Sequence, residues 1–258
     1  MSLEPTLLIP AFRYGKETPW GGELLNRMYG KFAVGTKIGE SNDFCSESKL
    51  PDGRSLLKAN LLGDRHPLPP FSLKWVDCAG QQHFHCHPES EEYLYVIKIY
   101  SDSHMDVATE DDSIFSYPLQ AGDLICIPPS VSHALSGALC IQLTARNFST
   151  LRTDHTPSNI DLKAPNEPID LLLIPEAINE QTVRLLQANC FSVYELSNYE
   201  NAFFGSRDDF FLITCLTDGV IRTKEKSFYL GRGQTVLIPP HCSDFKLSGE
   251  RFLLTSPT

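Results

Sequence analysis

An internal repeat is the feature that most constrains how this chain can fold. The segment Gly122–His133 reads GDLICIPPSVSH, and the segment Gly233–Asp244 reads GQTVLIPPHCSD. In both copies a glycine stands six residues before the first proline of a Pro-Pro pair, with an apolar run between them. A glycine opens a tight turn, a short apolar run is typical of a buried strand, and prolines end strand pairing. The repeat therefore predicts two similar β-barrels.

Short β-like runs dominate the rest of the chain and support an all-β fold. Examples are Tyr93–Tyr100 and Phe210–Ile213, with Gly, Pro, Asp and Ser between such runs. Each repeat copy follows one of these runs, which begins at Glu92 in the first half and at Asp209 in the second. Helical patterns are few, and the two candidates are Gly21–Met28 and Glu176–Ala188.

The chain of 258 residues is long enough for two such barrels. The polar stretch Thr156–Pro168 contains three prolines and is interpreted as the connection between them. We therefore predict an N-terminal domain at 1–155 and a C-terminal domain at 156–258, which includes the connection. Because the first copy ends in His133 and the second in Asp244, only the N-terminal barrel is expected to bind metal, and the C-terminal barrel is expected to be degenerate.

Composition narrows the classes of partner. The formal net charge is −10, which disfavours binding to nucleic acid or to an anionic membrane. No apolar run is long enough for a transmembrane helix, and no secretory signal is visible. The eight cysteines form no Cys-x-x-Cys pair and mostly lie in apolar runs. Buried free thiols in a protein of the reducing cytoplasm are therefore expected.

A histidine-rich segment supplies the candidate metal ligands. His85 and His87 are two residues apart, so a strand would place both imidazoles on one face. Glu92 can return to them after a turn, and His133 ends the first repeat copy. Glu91 is the alternative carboxylate. Three imidazoles and one carboxylate suit Zn, Fe, Mn, Ni or Cu, and do not suit Mg or Ca.

The spacing of these residues resembles both conserved motifs of the cupin superfamily. The first motif runs from Gly80 through the two histidines to Glu92, and the second from Gly122 through Pro128 to His133. The resemblance implies two double-stranded β-helix barrels with a few short helices. His83 lies on the same side as the ligands if the strand extends, and is expected to contact substrate or to support the ligands.

Longer segments resemble the type I mannose-6-phosphate isomerases, in their short bacterial form. The resemblance covers nearly the whole chain, and the segments that carry it are Trp20–Leu24, Gly39–Glu40, Pro70–Lys74, His85–Pro88, Glu92–Val96, Val131–Ala134 and Leu151–Asp154. It implies a zinc-dependent conversion of mannose 6-phosphate to fructose 6-phosphate, or of a related sugar phosphate. It also implies that Lys74 and Arg152 are active-site residues that bind the substrate and take part in catalysis.

Two residues depart from the family pattern. His85 occupies the position of a zinc-ligand glutamine, and Gln142 occupies the position of an acidic residue that is often given an acid–base role. An amide has no proton to exchange near pH 7, so Gln142 is expected to contact substrate only. His83, Glu40 or a metal-bound hydroxide are the alternatives for the general base.

Other interpretations remain open at the level of sequence. The protein is either an isomerase of this type, a cupin enzyme of different chemistry, or a non-catalytic sugar-binding cupin. Lys74 could point outward from its apolar strand, and Arg152 could form a surface ion pair with Asp154. Trp20 is expected to belong to the core.

Overall fold

Two antiparallel β-sheets form the protein in the computed structural model, which describes residues 3–33, 35–87, 89–108, 113–145 and 171–258. The strands of the first half are β1 (Thr6–Leu7), β2 (Ala11–Tyr14), β3 (Ile38–Phe44), β4 (Phe71–Gln81), β5 (Glu92–Ala108), β6 (Ile114–Pro118), β7 (Leu124–Ile127) and β8 (His133–Ala145). Between them lie a 3-10 turn and two short helices, Gly15–Glu17, α1 (Leu24–Tyr29) and α2 (Leu56–Ala59).

In its described part, the second half of the chain contains eight strands and no helix. These are β9 (Glu176–Asn179), β10 (Thr182–Gln187), β11 (Phe191–Phe204), β12 (Phe211–Cys215), β13 (Gly219–Thr223), β14 (Ser227–Leu230), β15 (Thr235–Ile238) and β16 (Phe245–Pro257). The first sheet has the order β2-β3-β4-β8-β5-β6, and β7 pairs with β5. The second has the order β1-β15-β12-β16-β11-β10-β9, with β13 paired to β16 and to β14. The all-β, two-barrel prediction is confirmed.

The two repeat copies have left-handed residues at the same two positions. Gly122 and Gly233 both have positive φ, +98° and +84°, as the tight turn before each strand requires. Eight residues later Ser130 and His241 are also left-handed, at +67° and +56°. The strand register places Phe211, rather than Asp209, at the position of Glu92, because Phe211 pairs with Ile238 as Glu92 pairs with Ile127. An aromatic side chain therefore stands in the second barrel where the first has a carboxylate.

Each barrel has its own core, and a third apolar cluster joins them. One face of the first sheet buries residues such as Val76 and Val96, and the second sheet does the same around Ile213. The opposite faces meet in a shared cluster in which the rings of Phe71 and Phe191 lie 5.1 Å apart. The two barrels therefore pack against each other through an apolar interface.

A buried polar network crosses the same interface. Asp43 accepts hydrogen bonds from Lys31 Nζ at 2.8 Å and from Thr235 Oγ1 at 2.7 Å. Lys31 and Asp43 belong to the first half of the chain, whereas Thr235 lies on β15. The first strand also crosses over, since Thr6 and Leu7 pair with β15. The predicted boundary at 155/156 and the connection Thr156–Pro168 lie outside the described residues, so the domain division stays a prediction.

One helix prediction is confirmed and the other is wrong. The candidate at Gly21–Met28 contains most of α1, which ends where Gly30 adopts a left-handed conformation and donates to Leu25 O. The candidate at Glu176–Ala188 forms the hairpin β9–β10 instead. The register of β10 against β11 shifts between Arg184 and Leu186, and such a bulge brings Leu185 and Leu186 inward together. Two consecutive buried leucines break the alternation expected of a strand, and the apolar spacing of the segment then resembles that of an amphipathic helix.

All eight cysteines are free, as the sequence predicts. Four of them, Cys78, Cys140, Cys215 and Cys242, are buried as expected, whereas the other four are only partly buried. The described residues contain no helix with the length and apolar character needed to cross a membrane.

Candidate metal and active site

The segment between β4 and β5 is attached by its backbone to the start of β8. The amide of His85 donates to the carbonyl of His133 at 3.0 Å, and the amide of His133 donates back at 2.9 Å. Ser130 donates to the carbonyl of His87. The left-handed conformation of Ser130, which is built into the repeat, therefore helps to bring the two histidine-bearing segments together.

The four predicted ligands converge at this junction. One ligand atom from each of His85, His87 and Glu92 can be chosen so that all lie within 4.8 Å of one another. His133 completes the cluster, because its ring centroid lies 4.4 Å from that of His85 and 6.4 Å from that of His87. Its Nε2 lies 3.7 Å from Glu92 Oε2, and His87 Nε2 lies 2.8 Å from the same oxygen. Glu91 is turned elsewhere and accepts a hydrogen bond from Tyr93.

Backbone contacts determine which ring nitrogen faces the cluster. His133 Nδ1 lies 3.0 Å from the carbonyl of Val131, and His85 Nδ1 lies 3.0 Å from the carbonyl of His83. Each Nδ1–H can donate to that carbonyl, which leaves Nε2 as the free lone pair. His133 Nε2 and Glu92 Oε2 are buried and make no hydrogen bond of good geometry. Buried polar atoms without such partners are costly, and a cation between them would satisfy both.

The charges of the cluster suit a metal ion. Burial disfavours the carboxylate form of Glu92, but His133 and His87 outweigh burial and hold its pKa well below the usual value. Burial, and then the neighbouring His133, lower the pKa of His85 to about 4. Burial also disfavours protonation of His133, yet Glu92 raises its pKa above the usual value. Glu92 is therefore ionised and His85 neutral at pH 7, the forms in which these groups bind metals.

Lys74 points into the first barrel rather than outward. Its side chain is 22% exposed, and its Nζ donates to Glu40 Oε1 at 2.9 Å. Its charge reaches His133, where it opposes protonation. In the strand register Lys74 lies opposite Gln142, which is buried and contacts Thr144 Oγ1 at 3.5 Å. The structure therefore contradicts the alternative in which Lys74 points outward from its strand.

The remaining predicted residues have different positions. The side chain of His83 is exposed and outside the ligand cluster, although its carbonyl accepts from His85. Trp20 is only partly buried against the interior of the first barrel. Arg152 lies outside the described residues, so its role stays a prediction. Sequence reasoning did not single out Arg13, whose Nη1 donates to Glu40 Oε2 at 3.1 Å, because no motif marks it.

These observations define a bicupin with one candidate metal centre. The chain has two double-stranded β-helix barrels, and in the described residues only the first brings together three histidines and a glutamate. The second barrel has Phe211 and Asp244 at the positions that Glu92 and His133 occupy in the first barrel.

Phosphomannose isomerases are among the solved structures that share this fold. Mannose 6-phosphate isomerase from Bacillus subtilis superimposes with a TM-score of 0.80 at 18% identity, covering 98% of this chain and 99% of that one. A variant of phosphomannose isomerase from Salmonella typhimurium gives 0.78 at 14% identity, covering 99% and 100%. A mannose 6-phosphate isomerase bound with zinc and yttrium gives 0.77 at 13% identity, with the same coverage.

The structural likeness confirms the resemblance inferred from sequence, at the level of the fold. No protein-family profile and no curated protein sequence matches the chain. The protein is thus similar to the type I phosphomannose isomerases along nearly its whole length, while its sequence has diverged far from theirs.

Proposed function

We propose that the protein is a metal-dependent aldose–ketose isomerase that acts on a sugar phosphate, with mannose 6-phosphate as the first substrate to test. One observation carries this proposal: three imidazoles and a carboxylate, of which His133 and Glu92 are buried, lie together in the first barrel with an inward-facing lysine, in the fold of the phosphomannose isomerases. The metal ligands proposed are His85, His87, Glu92 and His133.

The ligand set favours a borderline metal and agrees with zinc. Imidazole nitrogens and a carboxylate oxygen suit Zn²⁺, and one related structure holds zinc. When bound, such an ion would act as a Lewis acid on sugar oxygens. The protein supplies the carbonyl contacts that fix the imidazoles of His85 and His133, and the buried carboxylate that partly balances the charge of the ion.

The proposed roles of the other side chains follow from their charge and position. Lys74 provides a positive charge inside the barrel, where negative charge develops on the sugar oxygens during isomerisation. Arg152, placed in the active site by the family resemblance, would hold phosphate or developing charge by a two-pronged contact. Gln142 lies opposite Lys74 and can offer hydrogen bonds to a sugar hydroxyl without exchanging a proton.

The assignment of the general base follows from a comparison of the three candidates that the sequence indicated. Glu40 is buried and uses both carboxylate oxygens in ion pairs, and these pairs hold its pKa below the usual value against the effect of burial. A carboxylate stabilised in this way is a poor base. This leaves His83, a side chain that mutation can test, or a base that a bound metal would supply by activating water.

A second candidate function is supported by two substitutions. His85 and Gln142 give a site with three histidines and without the family carboxylate, as in a cupin of different chemistry or in a non-catalytic sugar-binding protein. The deciding experiment is a coupled assay of the purified protein, loaded in turn with zinc and with iron, against sugar phosphates and free sugars. Turnover of a phosphosugar by the zinc form supports the isomerase. Oxygen consumption by the iron form alone, without isomerisation, would favour the alternative.

A further inference from the structure

A line of three charged side chains crosses the inner face of the first sheet. Arg13 lies opposite Glu40 in the pairing of β2 with β3, and Glu40 lies opposite Val76 in the pairing of β3 with β4. Val76 belongs to the interior cluster of the first barrel, and Lys74, two residues earlier on the same strand, shares its face. Glu40 and Lys74 therefore face the same interior as the candidate metal ligands, and Arg13 reaches Glu40 from the neighbouring strand.

Glu40 is the centre of this line. One oxygen accepts from Lys74 Nζ at 2.9 Å, and the other accepts from Arg13 Nη1 at 3.1 Å. The Glu40 side chain is 8% exposed, whereas that of Arg13 is 51% exposed. The carboxylate is thus fixed from the solvent side by an arginine and in turn holds the ammonium on the interior side.

A lysine in this position needs such a partner to keep one orientation. Its four-carbon stem has several rotatable bonds, and its ammonium is strongly hydrated, so an unpaired Lys74 would turn toward water. Glu40 opposes this by giving the ammonium a buried, charged acceptor. With Arg13 on its other oxygen, Glu40 has both carboxylate oxygens in ion pairs, which makes it a poor base.

We propose that Glu40 is a positioning residue: it is fixed by Arg13 and holds the ammonium of Lys74 in the orientation in which Lys74 contacts the substrate, beside the candidate metal ligands. This inference rests on the proposed isomerase function for its kinetic consequence. It assigns Glu40 an effect that operates through Lys74 and not through direct contact with the reacting atoms.

The test is a double-mutant cycle on the zinc-loaded full-length protein with mannose 6-phosphate. Glu40→Gln should lower kcat about tenfold or more and change KM less, because the lysine remains but loses its orientation. In a Lys74→Met background the same Glu40→Gln change should alter kcat less than about twofold. Glu40→Asp, which keeps the charge on a shorter stem, should recover part of the activity. Equal effects in both backgrounds would overturn the inference.

A second readout does not depend on turnover. Labelling with an amine-reactive reagent, quantified at Lys74 by peptide mass spectrometry, should be several-fold faster in Glu40→Gln than in the unmodified protein. The matched control is Glu195→Gln, which removes the carboxylate partner of another cation, Arg251, and should leave labelling of Lys74 unchanged. Unchanged labelling of Lys74 in Glu40→Gln would refute the inference by itself. If the zinc-loaded protein converts no phosphosugar, the proposed function fails, while labelling still decides whether Glu40 holds Lys74.

Discussion

Stabilisation by metal is the prediction that tests the candidate centre most directly. His133 Nε2 and Glu92 Oε2 are buried without hydrogen bonds of good geometry, and unfolding separates them and exposes both to water. A metal that binds the folded state alone stabilises it by RT ln(1 + [M]/Kd), about 4.1 kcal/mol at 1,000 times Kd. For a chain of this size 1 kcal/mol moves Tm by about 2–4 °C, so zinc at that concentration should raise Tm by roughly 8–16 °C.

The His133→Ala variant should lose this stabilisation. If removal of one of the four ligands weakens Kd about 1,000-fold, the same zinc concentration contributes only RT ln 2, about 0.4 kcal/mol, and Tm rises by about 1–2 °C. The difference in Tm with and without zinc is measured for each variant, so that any effect of the mutation on the metal-free protein cancels. Metal content per chain is measured in parallel.

The internal repeat supplies the matched control. Asp244 occupies the position of His133 in the second copy, and its Oδ1 accepts from the amide of Ser206. Asp244→Ala should therefore keep the full zinc-dependent shift. A full shift and one equivalent of zinc in His133→Ala would show that the four side chains are not the metal site.

Three further results are expected. Gln142→Glu should raise isomerisation of mannose 6-phosphate about tenfold or more in a coupled assay, because a carboxylate can exchange a proton near pH 7; no gain would mean a neutral departure or a different substrate. Glu92 raises the pKa of His133 despite its burial, so protons compete with the metal for this imidazole. Below that pKa, the Kd for zinc should rise about tenfold per pH unit, as measured by competition with a chelator, and a Kd that does not change with pH would contradict this. Asp43→Ala leaves the buried ammonium of Lys31 unpaired and should cost about 3–5 kcal/mol in urea unfolding, and a loss below about 1 kcal/mol would contradict the network.

The sequence alone was sufficient for the overall fold. The repeat could be read because each feature has a local cause: the glycine must adopt positive φ, the apolar run must be buried, and the prolines must end pairing. Those local requirements are met at the same positions in both copies of the structure. Spacing also selected the four side chains that converge, since the same two motifs place the histidine-bearing segment beside the start of β8.

Contacts between distant strands decided what spacing could not. The hairpin at Glu176–Asn179 and Thr182–Gln187 was mistaken for a helix because a bulge depends on the partner strand and leaves no separate mark in the sequence. The equivalence of Phe211 with Glu92 likewise follows from pairing register.

The inward direction of Lys74 and its ion pair with Glu40 required the tertiary structure as well. Strand alternation gives two faces, but only the packed barrel determines which face is the interior. The sequence determined which residues of this protein could act, through local conformation and hydrophobic pattern. The tertiary structure decided which of them meet, because a contact between residues far apart in the chain depends on register and packing that neither segment carries alone.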